Sequence, residues 1–211
     1  VTAKQVSSVA CQLGKKHVLT ETFAGCGWDV FPKQLKRITE WQYVNGVNLL
    51  CHHLLPYSER GERKNDYPTH FTPFNAWYKR GIQEFNRYFD ALGEWIRSSK
   101  EEVRVGVFCP VRSAYLQYDY TDWNSLEDID ISYIMDACEN LANHRIAFHI
   151  LDETIMARHG SVVRGKLLVG ACAYETVVIP KTYVIDKTTD ALLRAFVAQG
   201  GKVLLIDEKP T

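Results

Sequence analysis

The chain reads as an α/β protein in two parts, a barrel remnant followed by an open sheet. Short β-rich runs alternate with helical segments, the texture changes near residue 100, and the first part holds only two strand-like runs. A parallel pair of strands is normally covered on both faces within a larger sheet, and alone it would leave unpaired edges. The expected architecture is therefore the last two βα units of a (β/α)8 barrel over residues 1–100, then an open, mostly parallel sheet over residues 101–211. A single open sheet completed by the second half is the competing arrangement.

Residues 3–13 have helical character, and Gly14 suits the position just past a helix end. His17 to Phe23 reads as a buried strand, and Gly25, Gly27 and Trp28 mark the loop after it. Pro32 opens a second helix at its favoured first-turn position, with Leu35, Ile38, Trp41 and Val44 or Tyr43 on one face. Gly46 closes that helix, and Val47 to Leu54 is the next strand. A polar and aromatic loop runs from Leu55 to about Asn75, longer than the ~15 residues usual for a compact domain. A third helix, Ala76 to Arg97, carries Trp77, Ile82, Phe85, Tyr88, Phe89, Leu92, Trp95 and Ile96. Beyond the change of texture, strands are expected at Val103–Cys109, Ile146–Leu151, Leu167–Val169, Thr176–Ile179 and Val203–Ile206. Helices are expected at Leu126–Asn143 and after a cap at Thr188 or Thr189.

Hydrophobic residues make up 46% of the 211, enough for a packed core. Twenty-five basic residues balance twenty-five acidic ones, which argues against a nucleic-acid partner, because phosphate contact needs a positive excess. No apolar stretch reaches the ~18 residues of a membrane span. The six cysteines form no Cys-x-x-Cys pair and read as free, mostly buried thiols, which argues against a structural zinc site. The chain starts at Val1 in mid-pattern, so it is expected to be an excised piece; bacterial cytoplasm and periplasm both fit the parent.

Glu21 is the best candidate for chemistry. It stands near the C-terminal end of its strand, the rim from which barrel enzymes project catalytic groups. Glycoside hydrolysis needs two carboxylates flanking the scissile bond, and such a glutamate suits either role. The plain alternative is a carboxylate that caps a turn or pairs with an arginine. His52 and His53 occupy the matching place on the next strand, and adjacent strand residues face opposite sides, so at most one points inward. Trp28, Tyr57, Tyr67, Phe71, Phe74 and Trp77 lie in or beside the rim loops, where aromatic rings suit the C–H faces of sugars. Trp77 and Phe74 are better explained as helix core. The alternating charges from Glu59 to Asp66 suit a solvated loop. In the second half, Cys109 precedes Pro110, which offers no N–H to an oxyanion hole, and no phosphate-binding motif is present.

Several strings carry a family resemblance. GKKHVLTETF from Gly14 to Phe23, Gly27-Trp28-Asp29, Trp41-Gln42-Tyr43, Gly46-Val47-Asn48, His53-Leu54, Tyr57-Ser58, Arg60 to Lys64 and Asp66-Tyr67-Pro68 resemble the late barrel of glycoside hydrolase family 106, the α-L-rhamnosidase type. Tyr174, the run Val177 to Pro180 and the run Gly200 to Val203 are similar to the open-sheet domain after such barrels, a flavodoxin-like or glutamine-amidotransferase-like sheet. Family 42 β-galactosidases have a comparable domain, often used for trimer contacts. The resemblance implies a glycosidase parent acting on a carbohydrate, with Glu21 after the seventh strand as base or nucleophile. Trp28, His52, His53 and Tyr57 would then contact the sugar. The acid partner would stand after strand four, in the remainder of the parent chain, and the isolated chain would be inactive. No cofactor is evident from the residues themselves; the resemblance implies calcium, without naming its ligands. Two other functions compete: a non-catalytic module in which residues 101–211 form a homo-oligomer, and a stand-alone flavodoxin-like binding domain.

Overall fold

The computed structural model describes residues 2–58, 60, 71–72, 75–126, 129–130 and 132–206. The chain divides into two units, one of Lys15–Lys100 and one of Val1–Gly14 together with Glu101–Thr211. None of the described helices is long and apolar enough to cross a membrane.

The smaller unit is built from β1 (Leu19–Thr22), α2 (Pro32–Val44), β2 (Leu49–His52) and α3 (Tyr78–Ser98). Its strands pair in parallel, Leu19 opposite Leu49 and Glu21 opposite Cys51. Pro32 does open α2, and the Phe31 N–H donates to the Gln34 side chain at 2.8 Å, which satisfies one of the free amides at the helix start. The buried stripe of α2 is Leu35, Thr39 and Tyr43, spaced by four. Of the alternatives Val44 or Tyr43, it is Tyr43 that is buried; Trp41, expected on that face, is exposed, because it falls on the opposite side of the 3.6-residue turn. The buried stripe of α3 is Phe85, Phe89 and Gly93, and the Phe89 ring meets Tyr43 edge-on at 5.2 Å. Gly93 is a close-approach position: a Cβ there would lie 2.6 Å from the Asn48 carbonyl oxygen. Arg97 Nη1 donates to that same carbonyl at 2.7 Å. The buried Asn48 side chain accepts from the Val18 N–H and donates to the Lys16 carbonyl, so it fixes where β1 begins.

The larger unit holds a four-stranded, wholly parallel sheet. Its strands are β3 (Val105–Phe108), β4 (Phe148–Leu151), β8 (Thr176–Ile179) and β9 (Lys202–Leu205), in the order β4-β3-β8-β9. Strand alternation sends two sets of side chains to two cores. Val107, Ile150 and Val178 pack with Ile134, Ala137 and Cys138 of α5 (Ser132–Asn143). Phe108, Leu151, Val177 and Ile179 pack with Leu193 and Phe196 of α7 (Lys187–Ala198) and Met156 of α6 (Glu153–His159). Covering both faces explains why β3, β4 and β8 read as continuous apolar runs, whereas β9, at the edge, leaves Leu204 and Leu205 exposed.

Several features depart from the expectations. α1 (Thr2–Gln12), expected with residues 1–100, belongs to the larger unit. Its buried side is polar and pairs with β4, where Ser8 Oγ accepts the Ile150 N–H at 2.9 Å and Gln12 Nε2 donates to the Ile150 carbonyl at 3.0 Å. The helix expected over Leu126–Asn143 starts only at Ser132, whose N–H is taken by the Asp130 carboxylate at 2.8 Å, while Trp123–Leu126 is a short 3-10 turn. The last helix begins at Lys187 with Asp186 at its cap, two residues before Thr188 and three before Thr189, the expected caps; Thr189 is buried in its first turn. Finally, a three-stranded antiparallel meander of β5 (Gly160–Val163), β6 (Lys166–Val169) and β7 (Cys172–Tyr174) interrupts the parallel pattern. Its first turn places Arg164 and Gly165 both at positive φ, the geometry that matches strand twist in a two-residue hairpin. The short α4 (Val111–Gln117) and α6 were also not expected.

Candidate functional site

Glu21 sits one residue before the C-terminal end of β1, and the faces of that strand are settled by its neighbours. Thr20 and Thr22 both donate to Gln42 Oε1 of α2, at 2.5 and 3.1 Å. Opposite Thr22, the His52 ring lies 5.4 Å from Phe23, 4.9 Å from Phe71 and 5.6 Å from Phe85 of α3. Thr20, Thr22 and His52 therefore face the helices. By alternation Glu21 and Cys51 face the other way, with Leu19 and Leu49. That face is open: Glu21 and Cys51 are exposed, and Leu19 and Leu49 are 53% and 38% exposed. No described side chain pairs with the Glu21 carboxylate, so the turn-cap and arginine-pair explanations have no partner among the described residues.

The backbone beyond Glu21 turns sharply. Phe23 has φ +85°, a left-handed conformation that costs a non-glycine residue about 1–3 kcal/mol. It is held there because its ring is 3% exposed, 5.6 Å from Phe71 and 6.1 Å from Phe85. The Cys26 N–H returns to the Phe23 carbonyl at 3.2 Å, and Gly25 and Gly27 supply two further positive φ values. Trp28 follows on this loop and is 55% exposed.

The other expected contact residues separate. His52 is a helix-side ring whose burial pushes its pKa below the usual histidine value. His53 continues the ladder, its N–H donating to the Thr22 carbonyl at 2.8 Å, and the bond from His53 to Leu54 is cis. Its side chain is half-buried. Tyr57 is exposed. Phe71 and Trp77 meet edge-on at 5.7 Å, within the same ring cluster as Phe85. Tyr67, Phe74 and the charged residues 59 and 61–66 lie outside the described residues. Gln42, which orients Thr20 and Thr22 and so sets the strand face, was not singled out in the sequence. Its place in the Trp41-Gln42-Tyr43 string was the only signal for it.

Calcium takes six to eight oxygen ligands. Among the described residues, one group of three or more His, Cys, Asp and Glu side chains comes within ligand reach: Cys11, Glu101 and His149, in the larger unit. One sulfur, one nitrogen and one carboxylate do not suit calcium.

In the larger unit, Cys109 follows β3, and its thiol is pushed up by burial, the opposite of what a nucleophile needs. A cavity of about 340 Å³ opens there, lined by Cys109, Ser113, Tyr133, Lys181 and Tyr183. The Lys181 ammonium already donates to the Tyr133 hydroxyl at 3.0 Å.

No family model matches the sequence, and no curated protein matches it. Solved structures do match the fold. The rhamnosidase from Novosphingobium sp. PP1Y aligns over 99% of this chain with a TM-score of 0.68 and 18% identity. The family 42 β-galactosidase Gan42B aligns over 96% with a TM-score of 0.62 and 14% identity. Its E323A catalytic mutant, from G. stearothermophilus, gives 0.61 and 14%. This chain spans 19% of the rhamnosidase and 29% of Gan42B. At these identities the likeness is one of fold: a mixed α/β chain with parallel sheets, similar to parts of glycoside hydrolases.

Proposed function

We propose that the chain is part of a glycoside hydrolase that cleaves α-L-rhamnosyl or closely related bonds, and that Glu21 is one of its two catalytic carboxylates. On this reading residues 15–100 supply the last two strands of a (β/α)8 barrel, and the larger unit is the flavodoxin-like sheet that follows it. The observation that carries the reading is the direction of Glu21: it lies on the helix-free face of a parallel pair, at the C-terminal end of its strand. In a barrel that face is the interior and that end is the rim. Leu19 and Leu49 on the same face support the reading, because exposed leucines on a parallel pair call for a cover.

The chemistry follows from the carboxylate. As base, Glu21 takes a proton from water as that water attacks the anomeric carbon; as nucleophile, it attacks the carbon itself. A second carboxyl group, from chain outside these residues, protonates the leaving oxygen. An inverting pair stands about 6.5–9.5 Å apart to admit the water; the family resemblance favours inversion and hence the base role. Trp28, His53 and Tyr57 are the aromatic groups available to pack against the sugar, and His52 is committed to the helix side.

The test is Glu21→Gln in the full-length protein, assayed on 4-nitrophenyl α-L-rhamnopyranoside. Turnover should fall by about 10²–10⁴-fold, the usual worth of a positioned acid or base. Stability should move by less than about 0.5 kcal/mol, since the side chain bonds to nothing described here. Wild-type turnover surviving in the variant removes Glu21 from the mechanism. Hydrolysis of β-galactosides but not rhamnosides by the wild type keeps the glycosidase reading and overturns its specificity.

A further inference from the structure

In the larger unit three ligand-type side chains converge from three separate segments. Cys11 comes from the last turn of α1, Glu101 from the segment before β3, and His149 from β4. One ligand atom from each lies within 4.8 Å of the others. His149 is 1% exposed, and both of its ring nitrogens are committed. Nδ1 meets the Tyr174 hydroxyl at 2.9 Å, and Nε2 faces Glu101 Oε2 at 3.2 Å. The Tyr174 hydroxyl is itself held by Gln12 Nε2 at 3.0 Å and is paired with the Cys172 side chain. Glu101 Oε1 takes the Lys4 ammonium at 2.8 Å, leaving Oε2 as the oxygen turned toward the histidine.

A metal-binding histidine usually has its non-ligating ring nitrogen fixed by a polar group; here Nδ1 is fixed by Tyr174, and Nε2 and the Glu101 carboxylate stand side by side. With metal–N and metal–O bonds of about 2.0 Å, a tetrahedral N···O edge is about 3.3 Å, and the observed separation is 3.2 Å. In a complete site the sulfur stands about 3.5 Å from each, with a metal–S bond near 2.3 Å, and the three ligand atoms already lie within 4.8 Å of one another. We propose that Cys11 Sγ, His149 Nε2 and Glu101 Oε2 bind one zinc-class divalent cation, with water as the fourth ligand. The mixed sulfur, nitrogen and oxygen set selects zinc-like ions over calcium or magnesium. Charge balances: Cys11 releases its thiol proton to solvent, His149 ligates as a neutral imidazole with its proton on Nδ1, donated to the Tyr174 hydroxyl, and thiolate plus carboxylate neutralise the dication. No electron is transferred. The ion would pin α1 to the edge of the sheet.

The full-length protein, stripped with a chelator, should take up one equivalent of Zn²⁺ by calorimetry. With Co²⁺ as the probe it should show thiolate-to-cobalt charge-transfer absorption. Cys11→Ser should abolish that absorption and weaken zinc binding by at least about tenfold, while Cys51→Ser, in the other unit, should keep both. In the unaltered protein Zn²⁺ should slow alkylation of Cys11, read by mass spectrometry, without slowing that of Cys51. A cobalt spectrum with no thiolate band, a band that survives Cys11→Ser, or unchanged alkylation of Cys11 in zinc each overturns the site.

Discussion

Phe23 shows two residue-scale effects opposing each other. Its left-handed backbone favours glycine by about 1–3 kcal/mol, and its ring is nearly fully buried against Phe71, Phe85 and His52. Deleting a buried phenylalanine ring costs about 3–5 kcal/mol, so burial should win. Phe23→Gly is expected to lower stability by roughly 2 kcal/mol, seen as an earlier urea midpoint by tryptophan fluorescence; a stabilised variant would mean that the strain dominates. What the sequence shows at this scale is uneven. Glu21 could be placed at a strand end, because an apolar run followed by glycines is a clear pattern. The direction of its side chain could not be read, since alternation fixes only relative faces. The covered face was revealed by Gln42 bonding Thr20 and Thr22. The same ambiguity made His52 as good a candidate as His53 until its ring was found among the phenylalanines.

At the scale of elements, α1 does what a fifth strand would do. Strand β4 lies at a sheet edge, and the outward N–H and carbonyl of Ile150 are satisfied by Ser8 and Gln12. A buried backbone group left unpaired costs about 1–3 kcal/mol. Gln12→Leu keeps much of the side-chain volume and removes the donor, so it should destabilise the protein by that amount in chemical denaturation. Ser8→Ala should speed hydrogen exchange at the Ile150 amide. If both variants unfold within about 0.5 kcal/mol of wild type, the helix merely rests on the strand. This pairing was illegible in the sequence for a physical reason: Lys4, Ser7, Ser8 and Gln12 look like a solvated face, yet it is the buried one. The strands β3, β4 and β8 of the parallel sheet were legible because they are mostly buried and apolar. Of the meander from Gly160 to Tyr174 only the apolar Leu167–Val169 was legible, because β5 and β7 are half-buried and lack a continuous apolar run.

At the scale of the whole molecule the two units make different demands on their surroundings. The larger one carries two cores on either face of its four-stranded sheet. Among its described residues the smaller has two strands, each four residues long, helices on one face and leucines open on the other. A two-stranded sheet is marginal by itself, and two half-covered leucines forgo up to about 1.5–3 kcal/mol each relative to full burial. If those strands belong to a barrel, completing it must protect them. Hydrogen exchange should therefore be fast at residues 19–22 and 49–52 in this chain expressed alone. It should slow by at least tenfold when the same residues sit in the longer protein, while amides of β3 and β8 change little. The comparison separates a barrel remnant from a self-sufficient unit, because only the remnant gains partners for its open face and strand edges. Equal protection of β1 and β2 in both contexts would leave Glu21 facing solvent in the complete protein, with no cavity for a sugar to enter.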